Sequence, residues 1–188
     1  MDFEIKTRRL VLRSFREKDA PRVETLAGDW DVARMTSLIP HPYPPGSALT
    51  WFTTHSADRA AGTHYRFAVT LNDTCIGAAG LHRVAASDWG LTGDILEIGY
   101  WIGKPYWGQG YATEAAGALV AWGFTSRALP VLAAGHFFDN PASRRILEKI
   151  GFTAAGQRRM ASLARGGDVD GLLLLLTRAA WAQHRATG

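Results

Sequence analysis

The most constraining feature of this sequence is an abrupt change of periodicity near its centre. The run from Ile95 to Ile102 is apolar with one acid, which is typical of a buried strand. Beyond Gly110 the apolar residues, Ala115 and Leu119 among them, recur at helical spacing. Gly108 and Gly110 stand two positions apart between the two patterns. The segment therefore predicts a strand that leads through a glycine turn into a helix.

The first part of the chain predicts one strand and two helices. The segment from Thr7 to Arg13 holds aliphatic residues between charges, which indicates a strand. A helix is expected over Asp19 to Ala27, with Asp19 as cap and Pro21 in the first turn. Prolines exclude regular structure from His41 to Gly46. A second helix is expected over Ser47 to His55, capped by Ser47.

The central part of the chain predicts three antiparallel strands. Arg66 to Thr70 and Cys75 to Leu81 are rich in strand-forming residues, and Asn72-Asp73 between them is a hairpin signal. The polar stretch from Ala86 to Gly93 is expected to be a turn. The strand from Ile95 to Ile102 completes this meander.

The last part alternates strands and helices. Val131 to Phe138 predicts a strand, and Asn140-Pro141 opens a helix that ends at Ile150 with Gly151 as its C-cap. Leu172 to Leu176 predicts a closing buried strand.

A meander followed by this alternation indicates an α/β or α+β fold. We expect a mixed, mostly antiparallel sheet with helices on both faces. A length of 188 residues fits a single domain, 1–188.

Composition excludes several classes of protein. The longest aliphatic run, Leu172 to Leu176, is too short for a bilayer span, and no targeting segment is expected, so the sequence predicts a cytoplasmic protein without membrane contact. The single cysteine, Cys75, excludes an internal disulfide and a cysteine-rich zinc site. The histidine spacings match no metal motif, and we expect no metal. The net charge of +4 is diluted by 17 acidic residues, so no nucleic-acid partner is inferred.

The glycine turn is a candidate phosphate site. A turn of this kind presents backbone N–H groups at a helix N-terminus, where the macrodipole favours anions. The alternative is a tight turn without a ligand. A dinucleotide fingerprint is excluded because Thr113 stands where Gly or Ala is required, and the Gly-Lys-Ser/Thr of a P-loop is missing.

Four ordered blocks of the sequence resemble the GCN5-related N-acetyltransferase (GNAT) family, in particular its branch of ribosomal-protein N-terminal alanine and serine acetyltransferases. The resemblance covers nearly the whole chain. Its blocks are Thr7 to Arg13 with Asp19-Ala20, Glu97 to Ile102, Tyr106 to Ala115, and Asn140 to Ser143 ahead of Leu147 to Phe152.

The resemblance implies acetyl-CoA as co-substrate and assigns residues to it. Backbone amides of the turn would hold the pyrophosphate, and the strand before the turn would pair with the pantetheine arm. The turn residues are Trp107, Gly108, Gln109, Gly110, Tyr111, Ala112 and Thr113; the strand residues are Tyr100, Trp101 and Ile102.

Two positions depart from the wider family. Trp107 stands where relatives carry Gln or Arg beside the phosphates, so one side-chain contact is lost. Leu147 stands where many relatives carry a tyrosine that protonates the departing thiolate. By position Ser143 resembles the serine used for this step in the branch; alternatively, its hydroxyl bonds the free amides of its own helix. Asn140 is a helix cap that the resemblance also places beside the pantetheine.

Glu97 is the leading candidate for the proton acceptor. It is the single acid between Ile95 and Ile102, where burial would raise its pKa toward the working range. A free amine is largely protonated at neutral pH, so the reaction needs a base, acting directly or through water. The alternative is a solvated or ion-paired structural glutamate. With Ser143 as acid, we expect direct transfer in a ternary complex.

The sequence leaves the acceptor open. A primary amine is expected, in particular the N-terminal amine of a protein or peptide. Small-molecule amines and aminoacyl-tRNA are alternatives, and so is a non-catalytic acyl-CoA-binding module. Acceptor contacts are expected from residues 28–47, 82–93 and 158–168. The oligomeric state is also undecided, and a homodimer is one of the options.

Overall fold

The computed structural model describes residues 4–187, apart from the side chains of Asp88, Asp94 and Thr187. Within that range the strands are β1 (Ile5–Lys6), β2 (Val11–Arg13), β3 (His64–Leu71), β4 (Thr74–Ala85), β5 (Asp94–Ile102), β6 (Val131–Phe137), β7 (Thr153–Ser162) and β8 (Gly167–Thr177). The helices are α1 (Ala20–Ala27), α2 (Trp30–Ala33), α3 (Ser47–Thr53), α4 (His55–Ala60), α5 (Tyr111–Ser126), α6 (Pro141–Ile150) and α7 (Arg178–Thr187). No helix of the described range combines the length and apolar character that crossing a membrane requires.

All the described strands join one sheet in the order β1-β2-β3-β4-β5-β6-β8-β7. Neighbouring strands are antiparallel except for β5 and β6, which run parallel. A parallel pair needs a crossover connection, and α5 supplies it. The mixed, mostly antiparallel sheet predicted from the sequence is confirmed.

The two faces of the sheet are covered by different helices. Helices α5 and α6 pack on one face over the main core, in which Leu119, Leu132 and Leu147 are fully buried. Helices α1 and α3 pack on the other face around Val23 and Ala48. We call the first face, which carries the hydroxyl groups of Tyr100 and Ser143, the donor face. The second face, which carries the Glu97 carboxylate, is called the acceptor face. Helices therefore lie on both faces, as predicted.

Local sequence signals predicted the structure correctly where the backbone conformation restricts the residue type. Asn72 and Asp73 adopt positive φ and turn β3 into β4. Asn140 caps α6 by accepting from the Ser143 amide at 3.1 Å, and Gly151 ends that helix with φ of 107°. These three signals are confirmed.

The expectations for the first part of the chain need correction. Of the strand predicted over Thr7–Arg13 only Val11–Arg13 is a strand, because residues 7–10 form the turn after β1 and contact α5. The predicted helix over Ser47–His55 is two helices that meet at Thr54, and its N-cap is Gly46 in the left-handed conformation. Ser47 does not cap it, since its hydroxyl donates to Pro44 O at 2.6 Å.

Three further expectations about the fold were incomplete. The stretch Ala86–Gly93 begins with a 3₁₀ helix, Ala86–Trp89, whose two end residues are buried. The strand expected at Leu172–Leu176 spans Gly167–Thr177. Strand β7 was not located because its first seven residues are exposed on both faces and carry no alternating pattern.

Asp19 occupies the N-cap position of α1, as predicted, but its carboxylate makes no cap bond to that helix and is instead a buried ion-pair partner. Its carboxylate accepts from Arg13 Nη1 at 2.7 Å and from Arg13 Nη2 at 3.0 Å, and from the Arg16 amide at 2.8 Å. Arg13 and Asp19 are 5% and 2% exposed. The pair therefore fixes the start of α1 against β2 in a region that water does not reach.

Removing one charge of this pair should destabilise the protein strongly. Asp19→Asn leaves the Arg13 guanidinium buried without its counter-charge, which costs roughly 3–5 kcal/mol of unfolding free energy. Urea denaturation followed by circular dichroism measures the loss. The matched control is Asp73→Asn, which removes an exposed carboxylate that also contacts Arg13 and should leave the urea midpoint near wild type. Equal midpoints for the two variants would contradict the assignment.

Candidate active site

A gap opens in the middle of the sheet where β5 and β6 part. Residues 96–98 of β5 pair with residues 132–134 of β6. Beyond them, residues 99–102 stay paired with β4, and residues 135–137 stay paired with β8. The gap therefore widens toward the carboxyl ends of both strands.

Backbone groups of β5 line this gap. A strand residue directs its N–H and C=O to one side, and its neighbours direct theirs to the other. The Trp101 carbonyl faces Gly77 on β4, so Tyr100 and Ile102 direct their backbone groups into the gap. The Ile102 carbonyl is already taken by Trp107 Nε1 at 2.6 Å. The free gap-facing groups are thus both backbone groups of Tyr100 and the Ile102 amide.

The glycine turn follows directly on β5 and opens α5. Gly108 and Gly110 have φ of 75° and 78°, a conformation that side chains other than glycine rarely adopt. The helix has no side-chain cap, and its first backbone bond runs from Glu114 N to Gly110 O at 3.0 Å. The amides of Tyr111 to Thr113 have no acceptor within the described range. Such a row of free N–H groups at a helix N-terminus suits a phosphate.

Glu114 fastens the N-terminal hairpin to this turn. Its Oε1 accepts from Thr7 Oγ1 at 2.6 Å and from the Arg9 amide at 2.8 Å, and its Oε2 accepts from Arg9 Nε at 2.7 Å. Burial raises the pKa of this carboxyl, but these hydrogen bonds outweigh burial and hold it below its ordinary value. Glu114 is therefore ionised at neutral pH.

Arg9 also brings positive charge to the turn. Its guanidinium lies 4.5 Å from the ring centre of Tyr111. Its Nη2 lies 3.4 Å from the position that a Cβ atom would take at Gly110. Arg9 therefore adds a cation beside the free amides, in a turn where Trp107 supplies none.

Tyr100 and Ser143 form a hydroxyl pair on the donor face. Tyr100 Oη and Ser143 Oγ are 3.0 Å apart. Burial raises the pKa of the Tyr100 phenol to about 12, although its bond to Ser143 acts in the opposite direction. The phenol therefore keeps its proton at neutral pH, and either oxygen can donate to the other.

Glu97 lies on the acceptor face with its carboxylate largely shielded from solvent. Its Oε2 is 3.3 Å from His82 Nε2, and the side chain is 17% exposed. Its Oε1 is 3.0 Å from the position of a Cβ atom at Gly135, so the carboxylate occupies space that a larger residue would fill. A Cβ atom at Gly99 would meet nothing within 4 Å. The surface of β5 at Gly99, two positions from Glu97, is therefore open.

A set of contacts between residues 34–37 and residues 162–165 spans the acceptor face. We call these contacts the bridge. The Leu163 amide donates to Ser37 O at 3.0 Å, and Arg165 Nε donates to Arg34 O at 2.7 Å. Arg165 also pairs with Asp139 at 2.9 Å, two residues beyond the end of β6. The bridge thus joins the segment after α2, the β7–β8 turn and the β6–α6 connection.

The gap has groups of opposite character on its two sides. Glu97 and Tyr100 are three positions apart on β5, so their side chains point to opposite faces. A carboxylate faces one side of the gap, and a protonated hydroxyl pair faces the other. This arrangement can accept a proton on one face and donate one on the other.

Comparisons with known proteins identify the family. A family model described as the acetyltransferase (GNAT) domain matches residues 9–153, well over half of the chain. This chain belongs to the GNAT acetyltransferase family. It is an acyltransferase, and acetyl-CoA is its co-substrate.

Several GNAT proteins are similar to this chain. The uncharacterized N-acetyltransferase YoaA of Bacillus subtilis (strain 168) is 29% identical over 168 residues, which cover 88% of this chain and 92% of YoaA. The ribosomal L7/L12 alpha-N-protein acetyltransferase RimL, solved with coenzyme A, gives a TM-score of 0.79 at 16% identity and covers 95% of this chain and 99% of its own. The microcin C7 self-immunity acetyltransferase MccE, solved with acetyl-CoA and AMP, gives 0.76 at 16% identity and covers 91% and 93%. The last two likenesses are in fold.

The structure brings most of the sequence-predicted residues to this GNAT site. The turn residues lie together at the start of α5, where Trp107, Gly108, Gln109 and Gly110 are exposed. Ser143 and Asn140 lie at the start of α6, and Ser143 reaches the hydroxyl of Tyr100. Trp101 departs from the rest, because its backbone faces β4.

Sequence reasoning missed two side chains that touch the candidate residues, Arg9 and His82. Arg9 was seen only as part of a strand motif, and its contact with Glu114 spans 105 positions. His82 fell at the start of the expected acceptor segment 82–93 with no partner named, although the predicted antiparallel pairing could have set it opposite Glu97. No group of three or more His, Cys, Asp or Glu suited to a metal occurs within the described range.

Proposed function

We propose that this protein transfers the acetyl group of acetyl-CoA directly to the N-terminal amine of a peptide or protein. The observation that carries the proposal is the gap between β5 and β6, with Glu97 on one face and the Tyr100–Ser143 pair on the other. We further propose that the protein is catalytic and not merely an acyl-CoA-binding module, because binding alone requires neither group.

The donor is held by the turn and the gap. The amides from Gly108 to Thr113 bind the pyrophosphate, and the Arg9 guanidinium, which is paired with Glu114, adds N–H donors beside them. The Trp107 amide, assigned to the phosphate from the sequence, is already taken, because it donates to Lys104 O at 3.2 Å. The Tyr100 carbonyl and the Ile102 amide pair with the amides of the pantetheine arm, and Asn140 lies beside it. The Trp101 side chain lies on the acceptor face, half-buried against the cluster that contains Ala68.

Filling the turn should abolish donor binding. Gly110→Trp places an indole where the pyrophosphate approaches, and isothermal titration calorimetry should then detect no acetyl-CoA binding. Gly46→Trp is a matched control, because Gly46 has the same φ of 78° and also precedes a helix, but lies outside the turn. Acetyl-CoA should bind this control as it binds the wild type. Normal binding by the Gly110 variant would contradict the phosphate assignment.

Catalysis depends on moving two protons. Glu97, directly or through one water, accepts the proton that the amine loses as it attacks. The Tyr100 amide faces the carbonyl oxygen on which negative charge develops. Ser143 donates a proton to the departing sulfur, and Tyr100 Oη holds the serine hydroxyl in place at 3.0 Å. Acetyl-CoA itself supplies the activated thioester.

Removing either proton-transfer group should lower turnover and leave donor binding intact. Glu97→Gln and Ser143→Ala should each reduce kcat by roughly 10- to 1000-fold, the effect of losing a general base or acid. Free-thiol release measures turnover, and calorimetry measures acetyl-CoA affinity. Ser126→Ala, at the exposed end of α5, is the control and should behave as the wild type. Wild-type rates in both site variants would move the chemistry elsewhere.

Two features bear on which amine accepts the acetyl group: the ionisation of amines and the segments on the acceptor face. An α-amine with a pKa near 8 is roughly a quarter neutral at pH 7.5, whereas about a thousandth of lysine side chains are neutral. A single carboxylate base therefore suits an α-amine. Tyr43 of the proline-rich loop packs on the acceptor-face cluster, and the bridge contacts lie on the same side. We propose that these two segments line a groove for an extended chain end. The fold likeness to RimL, an alpha-N-protein acetyltransferase, supports the same class.

The acceptor class can be tested with peptides that begin with Ala or Ser and contain one internal lysine. Mass spectrometry with fragmentation should place the acetyl group on the N-terminal amine. The same peptides with a blocked N-terminus are the control and should not react. Acetylation confined to lysine, or to a parallel panel of small amines and aminoacyl-tRNA, would overturn the acceptor proposal and leave the transferase assignment intact.

A further inference from the structure

His136 on β6 carries a buried nitrogen without a partner. The residue is 5% exposed. Its Nδ1 is 2.8 Å from Phe137 O, and because a carbonyl oxygen only accepts, Nδ1 carries a proton. Its Nε2 is also buried and has no hydrogen-bond partner within the described residues. Since an unsatisfied polar atom inside a protein costs free energy, a group that supplies a hydrogen bond to this nitrogen would be bound favourably.

The His136 side chain points to the donor face. A Cβ atom at Gly135 would lie 3.0 Å from Glu97 Oε1, so position 135 faces the acceptor side. Successive side chains of a strand point to opposite faces. His136 therefore lies on the same face as the hydroxyl pair of Tyr100 and Ser143.

The His136 ring also leans toward the gap between β5 and β6. Just beyond the end of β6, the Phe138 amide donates to Asp170 O on β8 at 3.0 Å, so residue 138 directs its backbone to β8. By alternation, Phe137 directs its backbone to the other side, which is the gap. The Phe137 carbonyl accepts from the Asn140 amide at 2.9 Å and from His136 Nδ1. The imidazole thus lies at the edge of β6 that borders the gap.

His136 and Tyr100 stand opposite each other across the gap. The last pair that joins β5 to β6 is Ile98 with Ala134. Tyr100 and His136 each follow two positions later, so they share a register as well as a face. The proposed donor enters from the turn beyond Ile102 and runs along β5 toward this closed end of the gap. The sulfur, at the far end of the pantetheine arm, therefore reaches the level of Tyr100 and His136.

We propose that His136 recognises the thiol of the product coenzyme A, whose S–H group donates a hydrogen bond to Nε2. The proposal rests on the proposed function, which places the pantetheine arm in the gap. In a neutral imidazole whose Nδ1 is protonated, Nε2 is an acceptor, and a thiol can donate to it. The amides of the arm pair with β5, so the thiol is the donor group left at this level. The acetylated sulfur of acetyl-CoA has no hydrogen, so this contact distinguishes product from substrate.

The test combines a change in the protein with a change in the ligand. His136→Asn keeps an amide N–H near Phe137 O and removes the acceptor at Nε2, whereas desulfo-coenzyme A, with hydrogen in place of the thiol, removes the donor. Thiols have an ordinary pKa near 8.5 and keep their proton at pH 7. At this pH, calorimetry should show that the wild type binds coenzyme A roughly 3- to 10-fold more tightly than desulfo-coenzyme A. The variant should bind the two ligands alike, and its acetyl-CoA affinity should stay near that of the wild type.

Two further variants separate recognition of the thiol from a merely structural role. Phe137→Leu is the matched control, because it changes the next residue of β6, which is also buried but packs in the cluster on the acceptor face. This control should keep the wild-type preference for coenzyme A. His136→Leu should lose the preference, but its urea midpoint should stay near the wild type, because an apolar side chain replaces an unsatisfied nitrogen. A lowered midpoint with an unchanged preference would identify His136 as a structural residue and overturn the proposal.

The outcomes also separate this proposal from the proposed function. If Gly110→Trp abolishes coenzyme A binding but His136→Asn keeps the wild-type preference, recognition of the thiol is wrong and the donor site stands. An equal loss of affinity for both ligands in His136→Asn would also overturn it, since Nε2 would then contact another part of the arm. Equal binding of the two ligands by the wild type would overturn it as well. These measurements use no acceptor, so a failure of the peptide acceptor proposal leaves them unaffected.

Discussion

The parting of β5 and β6 is the constraint on which the rest of this structure depends. Backbone hydrogen-bonding groups left unpaired inside a protein are costly, so a sheet opens in its centre only where something else satisfies them. Here the Trp107 indole satisfies the Ile102 carbonyl, and the gap-facing groups of Tyr100 await a partner. An extended ligand with amide groups, such as the proposed pantetheine arm, would satisfy these groups, and the helices, turn and bridge are arranged around the opening.

Interactions distant in sequence hold the rim of this opening. The N-terminal hairpin fastens the first turn of α5 through Glu114, and Asn140 fixes the start of α6, from which Ser143 reaches Tyr100. On the acceptor face Arg165 of the β7–β8 turn contacts two distant segments, at Arg34 after α2 and at Asp139 after β6. Glu97 and the Tyr100–Ser143 hydroxyl pair thus lie on opposite faces of a gap whose edges are held independently.

The sequence predicted those parts of the fold and site that a short segment determines. Asn72-Asp73, Asn140 and the glycines of the turn each report a local backbone conformation, and α1, α5 and α6 follow from their periodicity. Strand β7 was not located from the sequence because its exposed residues show no alternation of apolar and polar side chains. Asp19 was placed correctly at a helix start but for the wrong reason, since its partner Arg13 is a tertiary contact. His82 and Arg9 were not singled out as functional candidates, because only the assembled fold brings them to their neighbours Glu97 and Glu114.

The strand order has a consequence for how the chain assembles as it is synthesised. Strands β1 to β6 lie side by side in chain order, so each can pair with the strand made just before it. Strand β7 breaks this sequence, because its neighbour is β8, which itself lies against β6. The last hairpin therefore docks as a unit, and the Arg165 contacts form only then. The acceptor side is completed only when nearly the whole chain has been made, and so is the part of the donor-side core that contains Leu174, Leu176 and Trp181.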